Sequence, residues 1–116
     1  MPHKPLIILE DIRLAARDIQ DFTAGRSLAD YQHDRLLRAA VERQFILIGE
    51  ALARLDKLDP VIAGRITNCR QIVGFRNVLV HGYETIDDAI VWATVINHLP
   101  ILLSEVETLI DMLSGI

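Results

Sequence analysis

The chain has 116 residues, of which 51% are hydrophobic and 24% are charged, a balance that predicts a single domain with an apolar core large enough to fold without disulfides. Its net charge of -4 argues against a protein that coats nucleic acid nonspecifically, because such binding needs many cations to neutralise phosphates. The one cysteine, Cys69, excludes an intrachain disulfide and predicts a reducing compartment, the cytoplasm.

The cations are distributed unevenly along this sequence. All 12 Lys and Arg residues lie at or before Arg76, and the last 40 residues carry six acids and no Lys or Arg. Residues 35–76 are therefore locally basic, and they form either a small RNA-facing patch or a set of solvated helix faces. The apolar run at residues 6–9 is too short for a secretory signal, and that at residues 89–103 is too short and too interrupted for a membrane span. We therefore expect a soluble protein with no membrane partner.

Two helices are predicted in the first half of the chain. Apolar residues at helical spacing predict the first over residues 5–23, and Gly25 ends that pattern. Ser27 and Asp30 are typical of a capping box, which predicts that a second helix begins there, either continuous or after a short first turn, and runs to about Leu55. Its apolar stripe can serve two packing partners and is formed by Leu37, Val41, Gln44 or Phe45, Ile48, Leu52 and Leu55, widened by Leu36, Ala40, Leu47 and Ala51.

Two further helices are predicted in the second half. Asn68 is a candidate cap for a third helix, which we expect Gly82 to end in the left-handed conformation. Asp87 is a candidate cap for a fourth helix that reaches about Leu113 and is kinked by Pro100. Its continuous apolar seam consists of Trp92, Val95, Leu99, Leu102, Val106, Leu109 and Leu113. No segment alternates as a strand does, so residues 1–116 are predicted to form one all-α domain, an up-and-down bundle of four to five helices.

The fourth helix is more apolar than one face of a small bundle requires. The additional apolar residues are Ile86, Ile90, Ala93, Ile96, Leu103 and Ile110. This surplus predicts a homodimer, and the alternative is that both surfaces are buried within the monomer.

The residues that can carry chemistry cluster at the end of the third helix. RNA cleavage without a metal requires a proton-transferring group and a cation that neutralises charge on the phosphate, and His81 and Arg76 are of those types. Five residues along a helix rotate a side chain by about 140°, so the two meet only if Arg76 reaches along the surface or if a twofold axis combines two chains. Asn77 can orient the histidine, and the hydroxyl of Tyr83 can bind, stack or be modified.

Each of these residues also has an ordinary structural interpretation: His81 as a helix C-cap, Arg76 as a surface ion-pair partner and Tyr83 as a packing residue. Other candidates are weaker. His3, His33 and His98 have no carboxylate or cysteine at ligand spacing, so neither a metal nor a cofactor is expected. Glu42 and Glu50 lie on one helix and are more typical of ordinary ion pairs.

The pattern Arg76-Asn77-x-x-x-His81-x-Tyr83, together with Ala40-Val41-Glu42-Arg43 and Ile48-Gly49-Glu50-Ala51, resembles the HepT family of HEPN proteins across most of the chain. The resemblance implies a helical bundle that dimerises and joins two Arg-x4-His motifs into a metal-independent ribonuclease site. It implies that Arg76 and His81 are the catalytic pair, with Asn77 in support, and that Glu50 occupies a recurrent family position.

The same resemblance implies a type II toxin-antitoxin system. The partner would be a minimal nucleotidyltransferase of the MntA kind, which transfers AMP groups to the motif tyrosine, here Tyr83, and so blocks RNA, with tRNA and mRNA as candidate substrates. Two alternatives stay open: a noncatalytic helical module that binds the nucleotidyltransferase, and a structural helical dimer in which the motif only caps a helix.

Overall fold

The computed structural model describes residues 3–82 and 86–115, and all of the regular secondary structure in these two ranges is helical. In chain order the helices are α1 (His3–Thr23), α2 (Leu28–His33), α3 (Arg35–Leu58), α4 (Pro60–Ala63), α5 (Cys69–His81), α6 (Asp88–Asn97) and α7 (Leu99–Leu113). The all-α prediction is confirmed. The predicted count of four to five helices was too low, because two of the predicted helices are each divided and the connection before α5 contains a helical turn.

Helix α3 is the centre of the molecule, with α1 and α5 packed against it. The predicted apolar stripe of this helix is confirmed, with Phe45 rather than Gln44 in the core. It is buried at Leu37, Val41, Phe45, Ile48, Leu52 and Leu55. Leu36, which was expected to widen the stripe, is instead 80% exposed. The central helix thus has two packing partners, as its wide apolar face predicted.

The second predicted helix is divided at Asp34. Its start is as predicted, because the Ser27 hydroxyl accepts from the Asp30 backbone N–H while the Asp30 carboxylate accepts from the Ser27 N–H. Asp34 then ends α2 in an extended conformation, and its carboxylate accepts from the Leu37 N–H to cap α3. An aspartate that satisfies a free amide of the next helix therefore separates two helices within one apolar pattern.

The fourth predicted helix is divided as well. The Asp87 carboxylate accepts from the Ala89 N–H and begins α6, as predicted. Helix α6 ends at Asn97, Pro100 lies in the first turn of α7, and the two axes differ by 44°. The predicted kink is thus a full break just before the proline. In the described residues no single helix is long and apolar enough to span a membrane, and only the bent pair α6 and α7 together has the required length and composition.

Candidate functional site

Helix α5, which carries the motif, lies against α3 mainly through half-buried side chains. Leu79 is fully in the core, while Ile72, Val73 and Phe75 are partly covered. Phe75 packs edge-on against Phe45 of α3, with ring centroids 5.4 Å apart and planes at 79°. These contacts fix which side of α5 faces α3, and therefore fix where each motif residue lies.

Both ends of α5 differ from their predictions. Asn68 precedes the helix, but its backbone is left-handed at φ 58° and its side chain makes no capping hydrogen bond. Gly82 ends the helix, with its N–H donating to the Val78 carbonyl at 2.8 Å, but at φ -113° it is not left-handed. The left-handed residue thus stands at the start of α5, where asparagine tolerates it.

Arg76 lies on the side of α5 that faces α3. A Cβ atom built on Gly49 of α3 would lie 2.3 Å from the Cβ of Arg76, so the arginine side chain starts directly over the backbone of α3. Its Nε atom is buried and has no hydrogen-bond partner among the described residues. No carboxylate of those residues forms a salt bridge with it, and Glu50, which follows Gly49, is exposed. In the part of the chain that the structure describes, Arg76 is thus a partly buried arginine without an anionic partner.

His81 is the last residue of α5, and its side chain is exposed. Asn77 is exposed too, and no hydrogen bond or ion pair joins Arg76, Asn77 and His81 within the described ranges. In a single chain the two predicted catalytic residues therefore lie on different sides of α5, as the 140° rotation between them indicates. Tyr83, the predicted modification site, lies outside the described residues.

Exposed apolar side chains lie on α5 just before the histidine and on α6. Val78 and Val80 on α5 are 49% and 40% exposed, and Ile90 and Ile96 on the following helix are 58% and 56% exposed. By contrast, the predicted seam of α6 and α7 is buried or half-buried throughout, as is Leu103. The apolar surplus predicted for the fourth helix thus lies partly in the core and partly on the surface of α6.

Two acidic groups lie at the start of α6 and on α3. Burial raises the pKa of the Glu42 carboxyl, the negative charge of Asp88 raises it further, and Arg38 lowers it. Arg38 also lies within 3.8 Å of the Asp88 carboxylate. Burial, followed by the charges of Glu42 and Asp88, likewise raises the pKa of the Tyr31 phenol. Within residues 3–82 and 86–115, no three potential metal ligands come together, so no metal site is assigned.

A cavity of about 240 Å³ opens beside α5, between it, α3 and the start of α7. Phe45, Phe75 and Leu102 form apolar walls, and the exposed amides of Asn68 and Gln71 lie at its edge. None of the predicted catalytic residues lines it.

The contact between Gly49 and Arg76 is the feature of the site that sequence reasoning missed. The sequence did contain a signal for it, namely Gly49 inside a long predicted helix. A glycine at such a position lowers helix stability and often marks a close approach of another element. The segment Ile48-Gly49-Glu50-Ala51 was noted only for its resemblance. The structure shows that this segment touches the motif directly through its glycine.

Comparison with known proteins identifies the family. The chain matches the family described as "Ribonuclease HepT-like" over residues 12–109. It is similar to "Putative RNase MJ0127" from Methanocaldococcus jannaschii, with 31% identity over 99% of this chain and 95% of the relative. From the same organism, "Putative RNase MJ1380" is 31% identical over 85% of this chain and 90% of the relative. "Probable ribonuclease HepT" from Thermococcus cleftensis is 31% identical over 87% of this chain and 91% of the relative. No solved structure is significantly similar to the chain.

Proposed function

The chain belongs to the HepT-like ribonuclease family and is an endoribonuclease of that family, and we propose that it cleaves RNA without a metal through Arg76 and His81. The observation that supports this assignment most strongly is the lack of a hydrogen-bond or ion-pair partner for Arg76 among the described residues. The first two carbons of its side chain lie against Gly49 of α3. Its Nε is buried and has no hydrogen-bond partner, and it forms no ion pair among the described residues. A buried donor without a partner is costly, and a phosphate oxygen supplies the missing acceptor.

The reaction that we propose is an internal transfer on RNA. The ribose 2′-oxygen attacks the phosphorus, the bond from phosphorus to the 5′-oxygen breaks, and the proton of the 2′-hydroxyl passes through the His81 imidazole to the 5′-oxygen. Arg76 stabilises the charge that develops on the phosphate. The products are a 2′,3′-cyclic phosphate and a 5′-hydroxyl. Asn77, next to the arginine in sequence, is the proposed supporting residue.

We place the complete site at a twofold interface between two chains. Within one chain Arg76 faces α3 while His81 is exposed, so a second copy is the direct way to bring a guanidinium and an imidazole to one phosphate. The exposed apolar residues just before His81, Val78 and Val80, support this arrangement, because such side chains beside a polar site are typical of an interface.

The regulation that we propose is that of a type II toxin-antitoxin system in the cytoplasm, a location that the single reduced cysteine supports. A nucleotidyltransferase antitoxin of the MntA kind would add AMP to Tyr83, two residues after His81 in sequence. The added phosphate places negative charge beside a site that must accept an RNA phosphate, and the adenosine adds bulk. Both effects oppose RNA binding.

The test of the cleavage reaction uses the purified chain with a labelled RNA in excess EDTA. We expect cleavage with a 2′,3′-cyclic phosphate end, and a loss of roughly 10²–10⁴-fold in Arg76→Ala and His81→Ala. Matched controls are Arg13→Ala, which removes an arginine paired with Glu10 on α1, and His33→Ala on α2. Activity retained in His81→Ala would overturn the mechanism. Binding of the nucleotidyltransferase with no cleavage by the wild type would favour the noncatalytic module.

The test of regulation is co-expression with a nucleotidyltransferase encoded beside the gene. We expect growth arrest by the chain alone, relief on co-expression, and a mass gain of about 329 Da per AMP group. Tyr83→Phe should prevent both the relief and the mass gain. A mass gain that persists in this variant would show that the modified residue lies elsewhere.

A further inference from the structure

Gly49 leaves no room for a side chain because Arg76 occupies the space. A Cβ atom at position 49 would lie 2.3 Å from the Cβ and 2.8 Å from the Cγ of Arg76, and 3.5 Å from the Ile72 carbonyl oxygen. Real Cβ atoms essentially never come closer than 3.0 Å to such neighbours. The obstructing atoms are the Cβ and Cγ of Arg76, at the root of its side chain. Because the Cβ is bonded directly to the backbone, it cannot turn away without moving α5.

The glycine also lies in an unfavourable place for helix stability. It is within the 24-residue helix α3 and is buried, and glycine in a helix interior is destabilising relative to alanine. The glycine instead permits α5 to pack closely against α3 at this position. The Phe45–Phe75 contact and the half-buried Ile72 lie around the close approach, so α5 is held at this depth by neighbouring contacts.

We propose that Gly49 is a positioning residue for the reaction: it sets the depth at which the Arg76 guanidinium meets the scissile phosphate. This inference rests on the proposed function of Arg76. To restore an ordinary contact of 3.4 Å, a methyl group at position 49 must displace the arginine root by about 1 Å, and a misplacement of that size costs roughly 10²-fold in rate.

The first experiment compares Gly49→Ala with Gly64→Ala, which adds the same methyl group at the end of α4, where the nearest atom is the Pro60 carbonyl oxygen at 3.2 Å. We expect kcat to fall roughly 10²-fold in Gly49→Ala with little change in KM, and Gly64→Ala to stay close to wild type. If Arg76→Ala is inactive while Gly49→Ala keeps the wild-type kcat, the inference is wrong and the proposed function stands. If Arg76→Ala cleaves normally, the proposed function itself fails.

The second experiment asks whether Gly49 acts through the guanidinium. In an Arg76→Lys background, which keeps the Cβ but removes the planar donor pair, Gly49→Ala should lower kcat much less than in the wild type. A merely structural role of Gly49 would lower kcat by the same factor in both backgrounds. That equality would overturn the inference.

The third experiment keeps the proposal testable if Gly49→Ala does not fold. The double variant Gly49→Ala with Arg76→Gly removes the Cβ that the new methyl group strikes. We expect this double variant to fold, with a melting temperature close to that of Arg76→Gly alone, because the space that the methyl group needs is then free. If the double variant fails to fold while Arg76→Gly folds, the two residues do not compete for this space, and the inference is overturned.

Discussion

Tyr31 provides a direct test of the core, because we expect removal of its hydroxyl to stabilise the protein. The residue is fully buried on α2, and its ring packs against Trp92 with centroids 5.4 Å apart. Its hydroxyl has no hydrogen-bond partner among the described residues. A buried hydroxyl without a partner costs about 1–3 kcal/mol in desolvation, so we expect Tyr31→Phe to raise the free energy of unfolding by about 1 kcal/mol, after allowing for the small void.

Thr23 offers a matched control in which the same chemical change has the opposite effect. Its side chain is 8% exposed, and its hydroxyl donates to the Ile19 carbonyl at 2.7 Å. Thr23→Val preserves the shape and removes a satisfied hydrogen bond, which should cost about 1 kcal/mol. The two hydroxyl deletions should therefore move stability in opposite directions.

The assay is thermal and urea unfolding followed by circular dichroism, at one fixed protein concentration because self-association would shift the midpoint. A change of about 1 kcal/mol corresponds to roughly 4 °C for a chain of this size. A lower midpoint for Tyr31→Phe than for the wild type, or a shift of both variants in one direction, would refute the reasoning. A lower midpoint for Tyr31→Phe would mean that the phenol has a partner, whereas a higher midpoint for both variants would mean that the Thr23 hydroxyl does not stabilise the fold.

Three further predictions concern single side chains. The pKa of Glu42 is raised by burial and then by Asp88, so the stability that its neutral form contributes is present at low pH and is lost as pH rises from the ordinary glutamate pKa through the raised pKa of the folded state. Glu42→Gln should therefore be more stable than wild type at pH 7 and equal to it at about pH 4 in urea unfolding, and equal stability at both pH values would contradict this. Burial raises the pKa of the Cys69 thiol, so iodoacetamide should alkylate it more slowly in the folded than in the urea-unfolded chain at pH 8.5, and equal rates would contradict this. Gly74 lies inside α5, and no atom lies within 4 Å of a Cβ added there. Gly74→Ala should therefore raise the free energy of unfolding by about 0.5–1 kcal/mol, and a lower value than wild type would show that a neighbouring atom approaches this position.

Local signals in the sequence predicted much of the fold. Ser27 and Asp87 begin helices through hydrogen bonds to nearby amides, and such bonds depend only on residues a few positions apart. The same kind of signal at Asp34 was overlooked, because the apolar pattern continues across it. The capping hydrogen bond of Asn68 and the left-handed conformation of Gly82 were predicted wrongly, since the path of a connecting segment is set by where the next helix packs.

The candidate site was predictable only in part. The motif and the angle between Arg76 and His81 follow from helical geometry and from spacing within one helix. The pairing of Gly49 with Arg76 depends on the register between α3 and α5, which is set by packing of side chains distant in sequence. The residues of the motif could therefore be named in advance, but the surface that holds them could not.

Helix α5 buries fewer side chains than α1 or α3, and this difference has a consequence for experiments on the protein. The structure describes every residue of α5, and Leu79 is the only one of them with a buried side chain. The amide protons of α5 should therefore exchange with deuterium sooner than those of α1 and α3, through openings that leave the remaining helices intact. A melting curve reports mainly on the better anchored helices, so a variant can keep its midpoint and still have lost the ordered segment that carries the motif.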